Sequence, residues 1–516
     1  MKKSFSYIDT IFIIELGVVI LTALGILPRE AFLFLGALII TFCTRSSLED
    51  CVFFIARSIP LFVALPLTSS FDSFNIWRII VFIVFIKFVF QKNVAPRVKK
   101  GVSLFFKKPK SAYTQYKIEF LILGLFIINA LSLFVAQDTL IGIKRLIYFS
   151  NLGMLFFVVR EVINEENLPT LALDIGLSSM VVILTGFVQL ISTYFLSIDM
   201  FANFWALQIQ RALYGNAWAN IVINANTWFA YFQDTIHLRM FASFPDSHSF
   251  PLFLIMALVF IIWLFFKALQ KRHRRAYTYG LLIASGVFEI VLSGTRGVWA
   301  AIIFPLFTLM YIIIRYREYR LSGLVAIAPL LLFIFFLPFS SLIFGSQQFR
   351  LSGNAGQEEI LFRRIKSIID ISETSNNGRI FIWKETLKSI KNHPLLGVGI
   401  GNFPTILKQN PTAIKAGSSA HNIYLHIMAE SGIGGFILFM LILYEILRNA
   451  LRLSQGREEG ARLFGLLSFF YIIWILCYSM TDVAIFDERS FLMLMILTGA
   501  IFALNTKHHG RTISIR

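Results

Sequence analysis

The sequence predicts an all-α fold, a polytopic transmembrane helical bundle of about fourteen spans with a long helical loop on its outer side. Three observations predict it. Hydrophobic residues make up 57% of the chain and charged residues only 15%, against roughly 25% charged in an average soluble domain. Apolar runs long enough to cross ~30 Å of hydrocarbon recur along the whole chain. The formal charge of +18 gathers in short segments between those runs.

Backbone polar groups in hydrocarbon must be satisfied within their own segment, so each run reads as a helix. Residues 1–197 carry N-terminal spans near 11–27, 30–44, 51–68, 76–90, 118–136, 140–160 and 171–197. The runs at 30–44 and 76–90 are short and read as tilted or broken. A first long outer loop occupies 198–249, and central spans near 250–267, 277–294, 298–314 and 323–344 fill 250–344. A second long outer loop covers 345–422, before C-terminal spans near 423–447, 463–481 and 490–505 within 423–516. The opening Met1-Lys2-Lys3 imitates a signal peptide. Its apolar run carries Asp9 and Glu15 and reaches Pro28-Arg29-Glu30 without a small-residue cleavage site, so an uncleaved first span is expected.

The basic segments orient this map. Lys92, Arg97, Lys99, Lys100, Lys107, Lys108, Lys110 and Lys117 share one loop without an acidic residue between them. Lys267, Lys271, Arg272, Arg274 and Arg275 crowd a second, Arg315, Arg317 and Arg320 a third, and Arg448, Arg452, Arg457 and Arg462 a fourth. Lys and Arg beside a span resist translocation. Starting from an inner N-terminus, alternation puts all four clusters and both termini in the cytoplasm. Attraction to anionic membrane lipids follows. Nucleic acid is not an expected partner, because a basic soluble domain and interleaved aromatics are both missing. Cys43, Cys51 and Cys477 lie in or beside apolar runs, which implies no extracytoplasmic disulfide.

Both outer loops are long enough to expect function in them. The first carries Trp205, Trp218 and Trp228, residues suited to an interface. The second reads as two amphipathic helices. In the first of these Ile360, Ile365, Ile368 and Ile369 alternate with Arg363, Arg364 and Lys366. Asn376-Asn377-Gly378 then breaks the pattern, and 380–391 sets Trp383, Leu387 and Ile390 on one face until His393-Pro394 stops it.

The most informative stretch follows, His421-Asn422 at the junction of polar loop and hydrophobic span, with Gly432 and Gly435 beyond. A neutral imidazole, whose ordinary pKa is about 6.5, can take a proton from a hydroxyl near neutral pH. Asn422 would orient that ring or an acceptor, and the two glycines would permit close helix packing. Glu430 reads as an auxiliary acid or base, or equally as a packing or capping residue. Gly397-Val398-Gly399-Ile400-Gly401 follows Pro394 rather than a strand, so it lacks the βαβ context of a dinucleotide loop; a tight backbone passage is expected. His237, Asp246 and His248 match no usual metal-ligand spacing. His421 and His426 sit about 140° apart on a helix and share no face. No metal is therefore expected. Asp482, Asp487 and Glu488 form an acidic outer loop, read either as a solvated turn or as a contact to sugars or arginines.

In order, Asn377-Gly378-Arg379, Trp383, Pro394-Leu395-Leu396-Gly397-Val398-Gly399, and His421-Asn422 with Gly432 and Gly435 resemble the O-antigen ligase and polymerase family of bacterial membrane glycan transferases. The resemblance runs over about residues 376–440. It implies a C-type glycosyltransferase-like helical fold in the bacterial inner membrane, with a periplasmic active site and a long periplasmic loop. It also implies an undecaprenyl-diphosphate-linked glycan donor, a saccharide acceptor on lipid A core or a lipid-linked repeat unit, inversion at the anomeric carbon, and no metal or other cofactor. Arg379 and Arg296, the latter in the very short outer loop Ser293-Gly294-Thr295-Arg296-Gly297, match arginines the family uses around its diphosphate. An arginine held there needs an anionic partner, and the planar guanidinium grips phosphate oxygens in a bidentate fashion; the bland alternative is snorkelling to head groups. Arg239 and Arg211 are weaker candidates in the first outer loop. Lys144 and Arg145, one turn inside the outer end of the sixth span, reach the same site or only anchor the helix, and Trp383 is a substrate-contact candidate. His421 is the implied base.

The motif does not separate ligase from polymerase, although the extra spans and the long first outer loop lean towards a polymerase. The rival class is a transporter or flippase for lipid-linked saccharides, which would line a mid-membrane cavity with polar side chains. The apolar runs look clean at that depth apart from Glu15.

Overall fold

A computed structural model describes residues 7–67, 74–225, 228–232, 235–346, 374–408, 419–456 and 458–513. The N-terminal part begins with α1 (Tyr7–Ala23), α2 (Ala31–Arg45), α3 (Leu48–Ser58), α4 (Ile76–Gln91), α5 (Val94–Lys107), α6 (Pro109–Gln115) and α7 (Lys117–Ser132). It continues with α8 (Thr139–Val162) and α9 (Leu168–Ser192). The first long loop folds into α10 (Ile198–Ala202), a π-helical turn, α11 (Arg211–Tyr214), α12 (Asn216–Ala225) and an antiparallel hairpin, β1 (Phe229–Phe232) with β2 (Thr235–Leu238). The central helices are α13 (Ser249–Gln270), α14 (Arg275–Leu292), α15 (Arg296–Ala301), α16 (Ile303–Arg315) and α17 (Arg320–Ser346). Helices α18 (Thr374–Asn392), α19 (Pro404–Lys408), α20 (Ile423–Ser454), α21 (Glu459–Tyr478) and α22 (Glu488–Ile513) complete the chain.

Among the described residues, nine segments are long and apolar enough to cross a membrane, with α15 and α16 forming one of them. Counting the bent pairs α4–α5 and α6–α7 raises the number to eleven. The fourteen expected spans are thus reduced at the N-terminus. There α2 has 15 residues and α3 only 11, short of the ~17–25 that a crossing needs. Helix α3 stops at Ser58, a 3₁₀ turn covers Ile59–Leu61, and extended chain then carries Ala64 into a bridge with Asn75. The described part of the run 51–68 is therefore a helix, a 3₁₀ turn and extended chain, and an apolar string cannot show where one becomes the other. Among the described residues the fold is nearly all-α, with β1 and β2 as its two strands. The first amphipathic helix expected around 360–369 lies outside the described residues.

Ion pairs tie the basic loops together at one end of the bundle. Lys267 pairs with Glu458 at 3.0 Å, Arg97 with Glu161 at 3.0 Å, and Lys117 with Glu445 at 2.6 Å. Arg462 donates to the Glu318 carbonyl at 3.1 Å. Helices α5 and α4 bend by 75° at this end. The first long loop, the start of α20 and the α21–α22 connection lie at the opposite end, through contacts such as Arg239 to the Ser293 carbonyl and the Ile423 amide to the Ser479 carbonyl.

The interior is less clean than hydropathy suggested. Arg57 bonds Asp174 at 2.5 Å and Asp9 at 2.6 Å, joining α3, α9 and α1. Glu15 accepts from Ser58 at 2.5 Å. Glu289 of α14 is fully buried against Gly186 of α9, and both its carboxyl oxygens lack a hydrogen-bond partner among the described residues. Glu15 is therefore not the lone acid within the spans; single acids inside long apolar runs barely move a hydropathy average.

Candidate active site

Helix α20 is broken where its first two turns meet the rest. Gly432 adopts φ 70° and ψ −177°, a region essentially reserved for glycine. The break releases backbone groups that membrane depth would leave unsatisfied. The 394–399 loop takes them up: Val398 N–H donates to the Ala429 carbonyl at 2.8 Å and Gly399 N–H to the Glu430 carbonyl at 3.1 Å. Ile433 N–H in turn donates to the Pro394 carbonyl at 2.9 Å. Gly397, at φ 67°, lies so close that an added Cβ would stand 2.3 Å from the Ala429 oxygen. The glycine run is the tight passage its composition suggested. Gly432 serves as the hinge of a broken helix rather than a helix-packing surface.

This plug sets the short first segment of α20, and with it His421. Asn422 caps the segment, its side-chain oxygen accepting from the amides of Tyr424 at 3.0 Å and Leu425 at 3.1 Å. Trp383 of α18 donates its indole N–H to the Ala420 carbonyl at 3.0 Å. Between these two fixings His421 is held at φ 46°, a left-handed conformation uncommon for any residue but glycine. Such local strain persists only where the surroundings over-determine it, and it concentrates at functional sites.

The His421 ring faces Asp482, in the connection between α21 and α22. Its Nδ1 is 3.7 Å from the carboxylate, while His248 Nδ1, just before α13, lies 2.7 Å from the same oxygen. Tyr478 Oη is 3.2 Å from that His248 nitrogen. Burial by itself would raise the Asp482 carboxyl, but His248 and His421 together hold it well below the usual carboxylate range. Asp482 is thus a buried anion shared by two imidazoles. A nitrogen facing such an anion carries the proton, which leaves the other nitrogen of His421 as the acceptor. The 3.7 Å separation exceeds a hydrogen bond, as is common for catalytic pairs without substrate.

Arginines gather beside this group. Arg239 bonds the Ser293 carbonyl at 3.4 Å and Thr295 Oγ1 at 3.2 Å, which puts it against the turn that carries Arg296. Enclosure and the neighbouring Arg296 pull Arg239 down to about 10, against the opposing fields of Tyr478, Asp246 and Asp482. Arg379, on α18, lies within electrostatic reach of Tyr478. Arg239, Arg296 and Arg379 therefore approach the Tyr478–Asp482–His248–His421 group from three elements.

Other expected residues lie elsewhere. Arg211 is exposed at the start of α11, and among the described residues no ion pair or hydrogen bond joins its side chain to the cluster. Lys144 is exposed, and Arg145 stacks on Tyr148 and Phe149 with centroid distances of 5.8 and 5.5 Å. Glu430 is buried, accepts from the Phe403 amide at 3.1 Å and stands 3.6 Å from His426 Nε2, so it braces the plug. Sequence reasoning does not pair His421 with His248, Tyr478 or Asp482, because residues 173, 57 and 61 positions away in the chain leave no local pattern. Among the described residues no set of three or more His, Cys, Asp or Glu side chains is arranged to hold a metal ion.

Residues 279–440 match the protein family described as O-Antigen ligase. Arg296, Arg379, Trp383, His421, Asn422 and Glu430 all fall inside that span, whereas Arg239, His248 and Asp482 fall outside it. No curated protein matches the chain. Residues 279–440 are thus similar to the O-antigen ligase family, and they lie within a bundle of membrane-length helices.

Proposed function

We propose that the chain is a metal-independent, inverting glycan transferase that works on the periplasmic face of the bacterial inner membrane. It moves a glycan from undecaprenyl diphosphate to a sugar hydroxyl of an acceptor, either lipid A core or a lipid-linked repeat unit. The observation that carries the reading is the pair of imidazoles on the buried Asp482 carboxylate, with Arg239, Arg296 and Arg379 drawn up beside it.

In the proposed reaction the acceptor oxygen forms a bond to the anomeric carbon from the face opposite the diphosphate. The anomeric C–O bond breaks, and the diphosphate leaves with the electron pair. The acceptor proton passes to His421, whose Nδ1–H is steadied by Asp482. Because the leaving group is already a good one, cations that meet the developing charge supply most of the remaining stabilisation. Arg296 and Arg379 would grip the diphosphate, with Arg239 reinforcing them. Asn422, with its oxygen engaged in capping, retains its amide N–H groups for an acceptor hydroxyl.

The flippase reading gains from the buried charges in α1, α3, α9 and α14. It is separated by product: transfer gives a new glycosidic bond, whereas a flippase moves the lipid-linked saccharide unchanged. In purified protein given lipid-linked oligosaccharide, His421→Ala should reduce transfer by about 10²–10⁴-fold with donor binding retained. Arg296→Ala and Arg379→Ala should each cost on the order of 1.5–3 kcal/mol for one charge-assisted contact. His421→Gln should do no better than alanine, since it keeps a hydrogen bond but takes no proton. Wild-type activity in His421→Gln sinks the role of base. Movement of saccharide without any covalent product sinks the enzyme.

A further inference from the structure

Helix α4 does not run on straight into α5. Asn93 takes a left-handed φ of 47°, which asparagine tolerates better than most residues, and the axis turns by 75°. A spanning helix followed by such a turn leaves the next helix lying across the membrane normal. Helix α5 is amphipathic, yet none of its residues is buried. At about 100° per residue, Val98, Val102 and Phe106 share an arc of about 80°. They are 56%, 52% and 80% exposed. Lys100 and Lys107 fall on the opposite side of the helix, and Lys99 flanks the stripe beside Phe106.

Packing against α7 sets which way α5 faces. The Tyr116 ring lies against Gly101, where an added Cβ would stand 3.6 Å from it. Phe105 meets Phe120 with ring centroids 5.2 Å apart. Gly101 and Phe105 border the Val98–Phe106 arc, and Phe120 is one turn inside α7. The apolar side of α5 therefore looks towards the level of the spans, and its Lys100–Lys107 side looks away.

The acids at this end are already taken. Glu161 pairs with Arg97, Glu445 with Lys117, and Glu119 with Arg160 at 2.5 Å. Among the described residues Lys99, Lys100, Lys107, Lys108 and Lys110 make no ion pair, and all five are exposed. An exposed apolar stripe edged with unpaired lysines is the pattern of a helix lying in a membrane interface. Phosphates of anionic phospholipids supply the missing charge. A soluble acidic partner answers the lysines but has no access to a stripe turned towards the spans.

We propose that α5 is an interfacial helix, with Val98, Val102 and Phe106 at the acyl boundary of the leaflet at the basic end of the bundle and its lysines on anionic phospholipid headgroups. The anchor does not depend on the transferase reading. It bears on the site through α7, where Ser132 Oγ accepts from the Ile400 amide at 3.0 Å and Asn129 Oδ1 accepts from Ser431 Oγ at 2.6 Å. The test puts a nitroxide on Val102→Cys, Phe106→Cys or Lys100→Cys in the full-length protein lacking Cys43, Cys51 and Cys477. Collision with oxygen is compared with collision with a water-soluble nickel chelate. In nanodiscs of phosphatidylglycerol and phosphatidylcholine, the labels at 102 and 106 should lie about 5–10 Å below the headgroups and favour oxygen. The label at 100 should favour nickel. In phosphatidylcholine alone, nickel access at 102 should rise about fivefold or more as the lysines lose their partners. An unchanged melting temperature in each variant confirms its fold. Equal nickel access at 102 and 100 would leave α5 in water and overturn the proposal. Exclusion of both probes from 102 overturns it too, because protein would then cover the stripe. So does unchanged access in phosphatidylcholine alone, which removes the headgroup contact.

Discussion

Asp482 decides how His421 can act. A carboxylate buried beside two imidazoles favours the tautomer with the proton on Nδ1, and it stabilises the positive charge that forms when the ring takes a second proton. Asp482→Asn keeps the size and removes the charge. We expect it to lower transfer by about 10²–10⁴-fold with little change in donor binding, as measured on purified protein. The same carboxyl sets an acid limit on stability. Its pKa in the folded protein is depressed, so the stabilisation is present above the unfolded value of about 3.9 and is lost as pH falls through the folded value. Thermal melts should therefore show an acid-side decline below about pH 4 in wild type that is weaker in Asp482→Asn. An identical decline in both would remove Asp482 as its source. At this scale His421, Arg296 and Arg379 can be picked out as candidates from the sequence, because each belongs to a short ordered motif. His248 and Asp482 cannot, since they meet His421 through tertiary folding alone. Asn422 and Glu430 stood in readable places, but capping and bracing are geometric roles that a letter does not reveal.

At the scale of elements, α8, α9, α13, α14, α17 and α20–α22 each begin within four residues of an expected apolar run, while the ends of α9, α20 and α22 differ by five to eight. Continuous hydrophobicity is what the membrane demands of a span. The misreadings share one cause: hydropathy records burial in an apolar medium, not backbone geometry. The run 51–68 stays apolar while its backbone changes from helix to extended chain. Helix α20 reads as unbroken although Gly432 interrupts it. The interruption gives a direct test. Gly432→Ala places a Cβ 2.1 Å from the Leu395 oxygen on a backbone that disfavours it by about 1–3 kcal/mol before any clash. We expect a lower melting temperature and loss of transfer together, because the plug and the His421 segment share the same hydrogen bonds. Gly378→Ala, where an added methyl meets nothing within 4 Å, should be nearly neutral. Unchanged stability and activity in Gly432→Ala would show that the break is not needed to set the site.

Taken whole, the molecule separates its charge along one axis. Basic loops joined by Lys267–Glu458, Arg97–Glu161 and Lys117–Glu445 close one end, while His421, Asp482 and the arginines beside them occupy the other. Lys and Arg near a span hold their loop in the cytoplasm, so the site end is expected to face the periplasm, where a lipid-linked glycan would present its sugar. The loss of three to five full crossings from the N-terminal part complicates this inference, because orientation alternates with each crossing. The basic loop that contains α5 fixes the side after α1–α4, and the basic loops at Lys267–Arg275 and Arg448–Arg462 fix it again among the well-defined long spans, beyond the bent pair α6–α7. Single cysteines in a background lacking Cys43, Cys51 and Cys477 can be labelled in intact cells with a membrane-impermeant maleimide. Cysteine at Phe105, Arg272 or Gln455 should react only after lysis, and cysteine at Ala225 or Glu385 should react from outside. Labelling at Phe105 from outside would invert every later span and place His421 in the cytoplasm, where an extracytoplasmic glycan transfer has no substrate. Labelling at Ala225 and Glu385 alone would fix the side on which the Asp482 group works without depending on how many of α1, α2 and α3 cross.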